Sequence, residues 1–193
     1  MTHPALEAAA KDCKTLARAS ASVGGPDPVD AIKHMDCDPE AINQLAEQMD
    51  PGLTKLRQKI ADAEAELTKL TDSGDSGDAH KKKVAKAKHL IEKLSKKHED
   101  LRQTQDAIYV IAYQLDKRAA KYGEWITGIA DHNHTNALIV LGDFTGVGSD
   151  LTGATEAVLK AVDSIIKLAR DFQEEVNELR QRAAELAARI HQN

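Results

Sequence analysis

The chain has 193 residues, of which 41% are apolar, 30% charged and only 3% aromatic. That Ala-, Leu-, Glu-, Lys- and Arg-rich balance belongs to long helices and coiled coils, and it argues against the aromatic and β-branched bulk of a β-sandwich or an α/β enzyme core. A net charge of −5, from 26 basic and 31 acidic side chains, argues against a general nucleic-acid binder, which would be basic overall.

Residues 1–19 alternate small apolar residues with Lys11, Lys14 and Arg18, so they lack the unbroken apolar stretch of a classical secretory signal. The expectation is a cytoplasmic chain, or one exported by a route that needs no such signal. No stretch reaches the roughly 18 apolar residues of a membrane-spanning helix. The most apolar run is Ala137-Leu138-Ile139-Val140-Leu141, which is far too short.

A first helix is predicted from Pro4 to Ala19, with Leu6, Ala9, Cys13 and Leu16 on one face. Gly24-Gly25-Pro26 ends it. Cys13 and Cys37 flank this turn-rich linker. They fit either a disulfide stapling two N-terminal helices or two reduced core thiols, and compartment decides between them. The pairs Asp27-Pro28, Asp38-Pro39 and Asp50-Pro51 then repeat one punctuation. Each sets a capping carboxylate before a proline at the first helical position, where the missing N–H costs nothing. They predict a short helix after Asp27, one over Pro39 to Met49, and a longer one from Pro51. The last two could form one helix kinked at Pro51.

From Leu53 the spacing alternates threes and fours through Leu56, Ile60, Ala63, Leu67 and Leu70, which is a heptad seam. Ser73-Gly74-Asp75-Ser76-Gly77-Asp78 reads as a hairpin turn. A second seam in the same rhythm runs Val84, Ala87, Ile91, Leu94, His98, Leu101, Gln105, Ile108, Ala112, Leu115, Ala119, Tyr122, Ile126 and Ile129. It predicts one helix from Ala79 to Ala130, flawed at the polar members His98 and Gln105. Residues Ile108 to Tyr113 are apolar all round, so a further helix is expected to cover them. A glycine-rich apolar loop is expected over 131–149. The last helix should run from about Leu151 to Ile190, with a stripe from Val158 through Phe172 and Val176 to Leu186 and Ile190.

The predicted fold is all-α: an elongated antiparallel bundle with a long coiled-coil hairpin. It comprises N-terminal capping helices (1–37), the hairpin (38–130), the loop (131–149) and a C-terminal helix packed on the hairpin (150–193).

Several clusters invite chemistry. The basic run from His80 to His89 suits phosphate, acidic lipid or an acidic partner. In an antiparallel hairpin, however, Asp62, Glu64, Glu66, Asp72, Asp75 and Asp78 face it, and a charge-matched solvated surface is the simpler reading. Asp131-His132-Asn133-His134 holds metal-ligand side chains, but the imidazoles at i and i+2 share a face only in an extended segment. A polar helix end is the default there, and no metal or cofactor is expected. The run from Leu138 to Ser149 has the outline of strand, phosphate loop and helix, but it lacks the lysine such a loop needs. Leu138, Ile139, Val140, Leu141, Phe144 and Val147 also make an apolar tip of the kind helical pore-forming toxins insert into membranes, which Asp143 and Asp150 oppose. Tyr109, Tyr113 and Trp125 read either as core where a third helix joins or as anchors of a docking face. His98 reads as a tolerated seam residue or an acid-sensitive switch. No nucleophile, base and orienting group can be assembled, so no catalysis is expected.

The stretch Asp38-Pro39-Glu40-Ala41-Ile42-Asn43-Gln44-Leu45-Ala46-Glu47-Gln48-Met49, followed by Leu53-Thr54-Lys55-Leu56, resembles the opening helix of actinobacterial Trp-x-Gly helical-hairpin proteins handled by type VII secretion. The likeness covers about 35 residues. The nearest match to the turn motif, Trp125-Ile126-Thr127-Gly128, carries one residue more. The resemblance implies a non-enzymatic helical protein that works by pairing with other helices, as a type VII substrate or partner. The expected partners are therefore another protein or a second copy, with a membrane as the alternative and nucleic acid excluded. A further alternative is a cytoplasmic structural or regulatory coiled coil.

Overall fold

The computed structural model describes residues 3–73, 77–143 and 150–192, with the backbone alone from 189. The fold is an all-α helical bundle. Among the described residues there are eight helices and no strand. They are α1 (Pro4–Asp12), α2 (Lys14–Ser22), α3 (Pro28–Lys33), α4 (Pro39–Glu47), α5 (Asp50–Asp72), α6 (Asp78–His132), α7 (His134–Leu141) and α8 (Leu151–Gln192). The chain forms two compact units, Met1–Pro39 with Ala112–Arg182 and Glu40–Ile111 with Ala183–Asn193. These units are not the consecutive blocks expected along the chain, because α6 and α8 each contribute to both.

In the first unit the predicted N-terminal helix is bent at Cys13. That residue keeps helical dihedrals and i−4 hydrogen bonds on both sides, so α1 and α2 follow almost without interruption. His3 caps α1: its Nδ1 accepts from the Ala5 amide at 3.2 Å. This leaves Nε2 as the protonated nitrogen, which donates to Asp116 at 3.0 Å. Gly24 takes a positive φ of 76° after α2. Gly25 then closes on Leu159, where a Cβ would lie 2.7 Å from Cδ2. Asp27 caps α3 as predicted, accepting from the Val29 amide at 2.8 Å. Antiparallel to α6, the α8 helix places Glu175 against Arg118 and Tyr122, and Phe172 against Tyr122. The core is mainly aliphatic: Leu6, Leu16, Ile32, Met35, Leu115, Ile126, Val158, Val162, Ile165 and Val176 are fully buried, as is Phe172. Arg180 closes the far side by bonding Asp36 through both its carboxylate and its carbonyl.

The loop expected over 131–149 is replaced in its first half by α7. One residue, Asn133, separates it from α6, and helical bonds span the junction. The apolar run becomes a helix because it has a surface to lie on: α7 packs against α2, and Ala137 is fully buried. Gly142, at φ 76°, ends it with paired bonds from Gly142 N to Ile139 O and from Asp143 N to Leu138 O. Leu138 to Leu141 are therefore neither a strand nor a free tip but a half-buried helix. Phe144 and Val147 lie outside the described residues.

Neither cysteine is in a disulfide; both are free and buried. Their charged surroundings share no member, being Asp12, Asp131 and Asp27 for Cys13 and Arg180, Asp36, Asp116 and Asp38 for Cys37, so the thiols occupy separate places in the core. Burial pushes the Cys13 thiol up to about 12 and the Cys37 thiol up to about 11, the latter against the pull of Arg180. Burial, aided by the hydrogen bond to Glu175, likewise raises Tyr122 to about 12. The folded chain thus holds these protons where the unfolded chain has released them. Their contribution is complete below the ordinary thiol value of 9.0 and is lost as pH rises towards 11–12. Urea midpoints measured from about pH 8 to 11 should fall steadily. At the lower pH, neither thiol should react with an aromatic disulfide until the chain unfolds. Rapid labelling of the native chain would show the thiols to be open.

In the second unit, α4 and α5 are separated at Gln48 and Met49, just upstream of Pro51. Proline cannot donate to the carbonyl four residues back, so the predicted kink is a break. Asp50 does not cap α5. Its Oδ1 accepts instead from Gln105 Nε2 at 2.6 Å, and the same amide group donates to the Ala46 carbonyl at 3.0 Å. The polar flaw in the seam is thus a satisfied cross-link between α6 and the α4–α5 junction. Ala46, Met49 and Ile108 form a small buried cluster beside it, covered by Ile42, Leu101 and Leu186.

Candidate functional site

The hairpin arm of α5 and the first half of α6 holds the main unsatisfied surface of the second unit. As residue numbers rise along α5 they fall along the facing α6. Asp50 bonds Gln105, Leu53 and Arg57 share a hollow with His98 and Arg102, and Ala63 and Leu70 share another with Lys83 and Leu90. This is an antiparallel pair carrying the predicted seams. Leu53, Leu56, Ile60, Ala63, Leu67 and Leu70 all turn inward, yet none is buried; the same holds for Val84, Ala87, Ile91, Leu94, His98 and Leu101. Two helices cover one stripe each and leave its margins in water.

The hollow nearer the turn has a volume of about 490 Å³. Ala63, Leu70, Ala87 and Leu90 give it an apolar lining, and Glu66, Lys69, Lys83 and Lys86 form its rim. Leu90 lies off the seam and is 49% exposed. Sequence periodicity missed it because it falls outside the three-and-four spacing. The second hollow, about 420 Å³, is polar and brings together Asp50, Arg57, His98, Arg102 and Gln105. His98, read from sequence as a seam flaw, is half-buried at its edge.

The charge matching expected across the arm rests on exposed side chains. Among the described residues no ion pair joins the lysine run to Asp62, Glu64, Glu66 or Asp72, and Lys81 pairs within its own helix with Asp78 at 4.0 Å. Residues 81–97 hold eight lysines against one glutamate, Glu92. The facing acids lie on a helix whose seam, not its flanks, meets α6, so long flexible side chains on both helices stay in solvent.

The three aromatic anchors are all exposed. Tyr109 (37% exposed) belongs to the second unit, and Tyr113 (62%) and Trp125 (43%) to the first. Twelve residues separate the latter two, which places them about a third of a turn apart around α6. Each lies under a lysine one turn before or after it: Lys117 Nζ stands 5.5 Å from the Tyr113 ring centre and Lys121 Nζ 4.5 Å from that of Trp125. Tyr122, a member of the predicted seam, is buried between Trp125 and Phe172.

Among the described residues no three His, Cys, Asp or Glu side chains are placed to hold a metal ion, and no buried side-chain polar atom lacks a hydrogen-bond partner. No helix there is long and apolar enough to cross a membrane. Comparison with protein-family models, curated proteins and solved structures yields no match.

Proposed function

We propose that this chain is a non-enzymatic interaction protein that works by helix–helix docking, with the α5–α6 arm as its docking element. The observation that carries this reading is the incompletely buried double seam of the arm, from Leu53 to Leu70 and from Val84 to Leu101. Apolar residues in heptad spacing gain most when a further helix covers them. The likeness that opens at Asp38-Pro39 to the opening helix of type VII hairpin proteins supports the same mode of action. In that setting the chain would be a substrate or partner of the secretion pathway.

The half-exposed apolar run of α7 favours a membrane-active reading, but its packing against α2 weighs against it: the helix would have to leave that contact to reach lipid.

A photo-crosslinking side chain installed at Leu90, and separately at Trp125, tests the assignment in the full-length protein. Crosslinks to a helical partner are expected from position 90. Crosslinks only from position 125 would move the docking face to the first unit, and none from either would remove the reading.

A further inference from the structure

We propose that the groove between α5 and α6 receives an acidic amphipathic helix of a partner protein. This rests on the reading of the arm as a docking element and adds the chemistry of what docks there. Ala63 and Ala87 are the small members of two seams otherwise built from Leu, Ile and Val near them. Where two alanines face each other across an antiparallel pair, the floor drops and leaves a hollow for large side chains from outside. Leu70 and Leu90 wall that hollow with apolar surface that neither helix covers. Elsewhere in the same unit the chain supplies such a third helix itself, where Leu186 of α8 closes over Ala46, Met49 and Ile108. Among the described residues none of α8 lines the groove.

Charge selects the kind of helix. The rim offers Lys69, Lys83 and Lys86 against Glu66. Beyond it, Lys82 and Lys88 also make no ion pair among the described residues. Lysines three and four apart on one helix repel each other, and among the described residues no acid of the opposing arm forms an ion pair with them. A helix with Leu or Ile knobs at heptad spacing and glutamates beside them would fill the hollow and neutralise the rim together. A duplex or an anionic bilayer would meet the outer lysines but would leave the apolar floor empty.

The test uses the full-length protein and two labelled peptides of about three heptads, identical at their Leu seam, one with Glu and one with Lys at the flanking positions. By fluorescence anisotropy the acidic peptide should bind roughly tenfold more tightly than the basic one, and less so at high salt. The double variant Lys83→Glu/Lys86→Glu should reverse that preference. Ala87→Gln, which fills the hollow and keeps helix propensity, should remove binding of both while circular dichroism stays unchanged. Equal binding of both peptides that is lost in Ala87→Gln would overturn the charge assignment and leave the docking arm standing. If neither peptide binds while crosslinks from position 90 persist, the acidic-helix class is wrong; if the crosslinks are absent too, the arm reading falls with it. Binding of duplex DNA or of phosphatidylserine vesicles in place of the peptide, lost in the double variant, would assign the face to a polyanion or a membrane. A concentration-dependent dimer lost in that variant would make the occupant a second copy.

Discussion

Replacing Phe172 by alanine is expected to cost about 3–5 kcal/mol of stability. The ring is fully buried in the first unit, with its centre 5.2 Å from that of Tyr122 in an edge-on contact. Tyr122 is fixed in turn by its hydroxyl, which donates to Glu175 at 3.0 Å, and by an edge-on contact with Trp125 at 5.1 Å. Removing the Phe172 ring therefore leaves a cavity whose wall cannot collapse without breaking that hydrogen bond. Relaxation around a fully buried ring is only partial, which sets the size of the loss. Urea unfolding followed by emission of the single tryptophan, Trp125, reads the loss directly. A cost under about 1 kcal/mol would mean that the ring is not enclosed.

Two glycines of α6 should respond to alanine with opposite signs. Gly123 is buried, and a Cβ there would stand 2.8 Å from the carbonyl oxygen of Ala5 and 3.0 Å from its carbonyl carbon. That obstacle is the backbone of α1, so one helix must shift. Overpacking costs of about 1–3 kcal/mol then outweigh the gain of about 1 kcal/mol in helix propensity. Gly128→Ala meets nothing within 4 Å and sits exposed on the same helix, so it should stabilise by about 0.5–1 kcal/mol. Thermal unfolding of the two variants side by side checks this. A stabilised Gly123→Ala would show that α1 does not lie against α6 as described.

Much of the helical layout was legible from spacing alone. Every seam position from Leu53 to Leu70 and from Val84 to Ile129 is at least partly buried, because a heptad rhythm leaves only one face that can be withdrawn from water. The caps at Asp27 and the stop at Gly24-Gly25 follow equally from local chemistry. The α7 helix was not legible. A five-residue apolar run beside glycines fits strand, loop or helix, and only the presence of α2 beneath it makes helix the favourable state. The role of Gln105 escaped for a related reason: its partners lie 59 and 55 residues away, beyond any local pattern.

What the amino-acid order determined by itself is which faces must be hidden. The periodicity specified long helices, their apolar stripes and an antiparallel hairpin, because burial of one stripe is a property each helix carries with it. What only the tertiary structure decided is how completely each stripe is hidden and which charges meet. The seams look alike in sequence, yet Leu115, Ile126 and Ile165 are fully enclosed while Leu67, Leu70 and Ala87 stay half in water. Among the described residues Lys82, Lys83, Lys86 and Lys88 likewise form no ion pair with Asp62, Glu64, Glu66 or Asp72 of the facing arm. Enclosure depends on how many helices surround a point and pairing on where flexible side chains end. Neither is written in the spacing of a single segment.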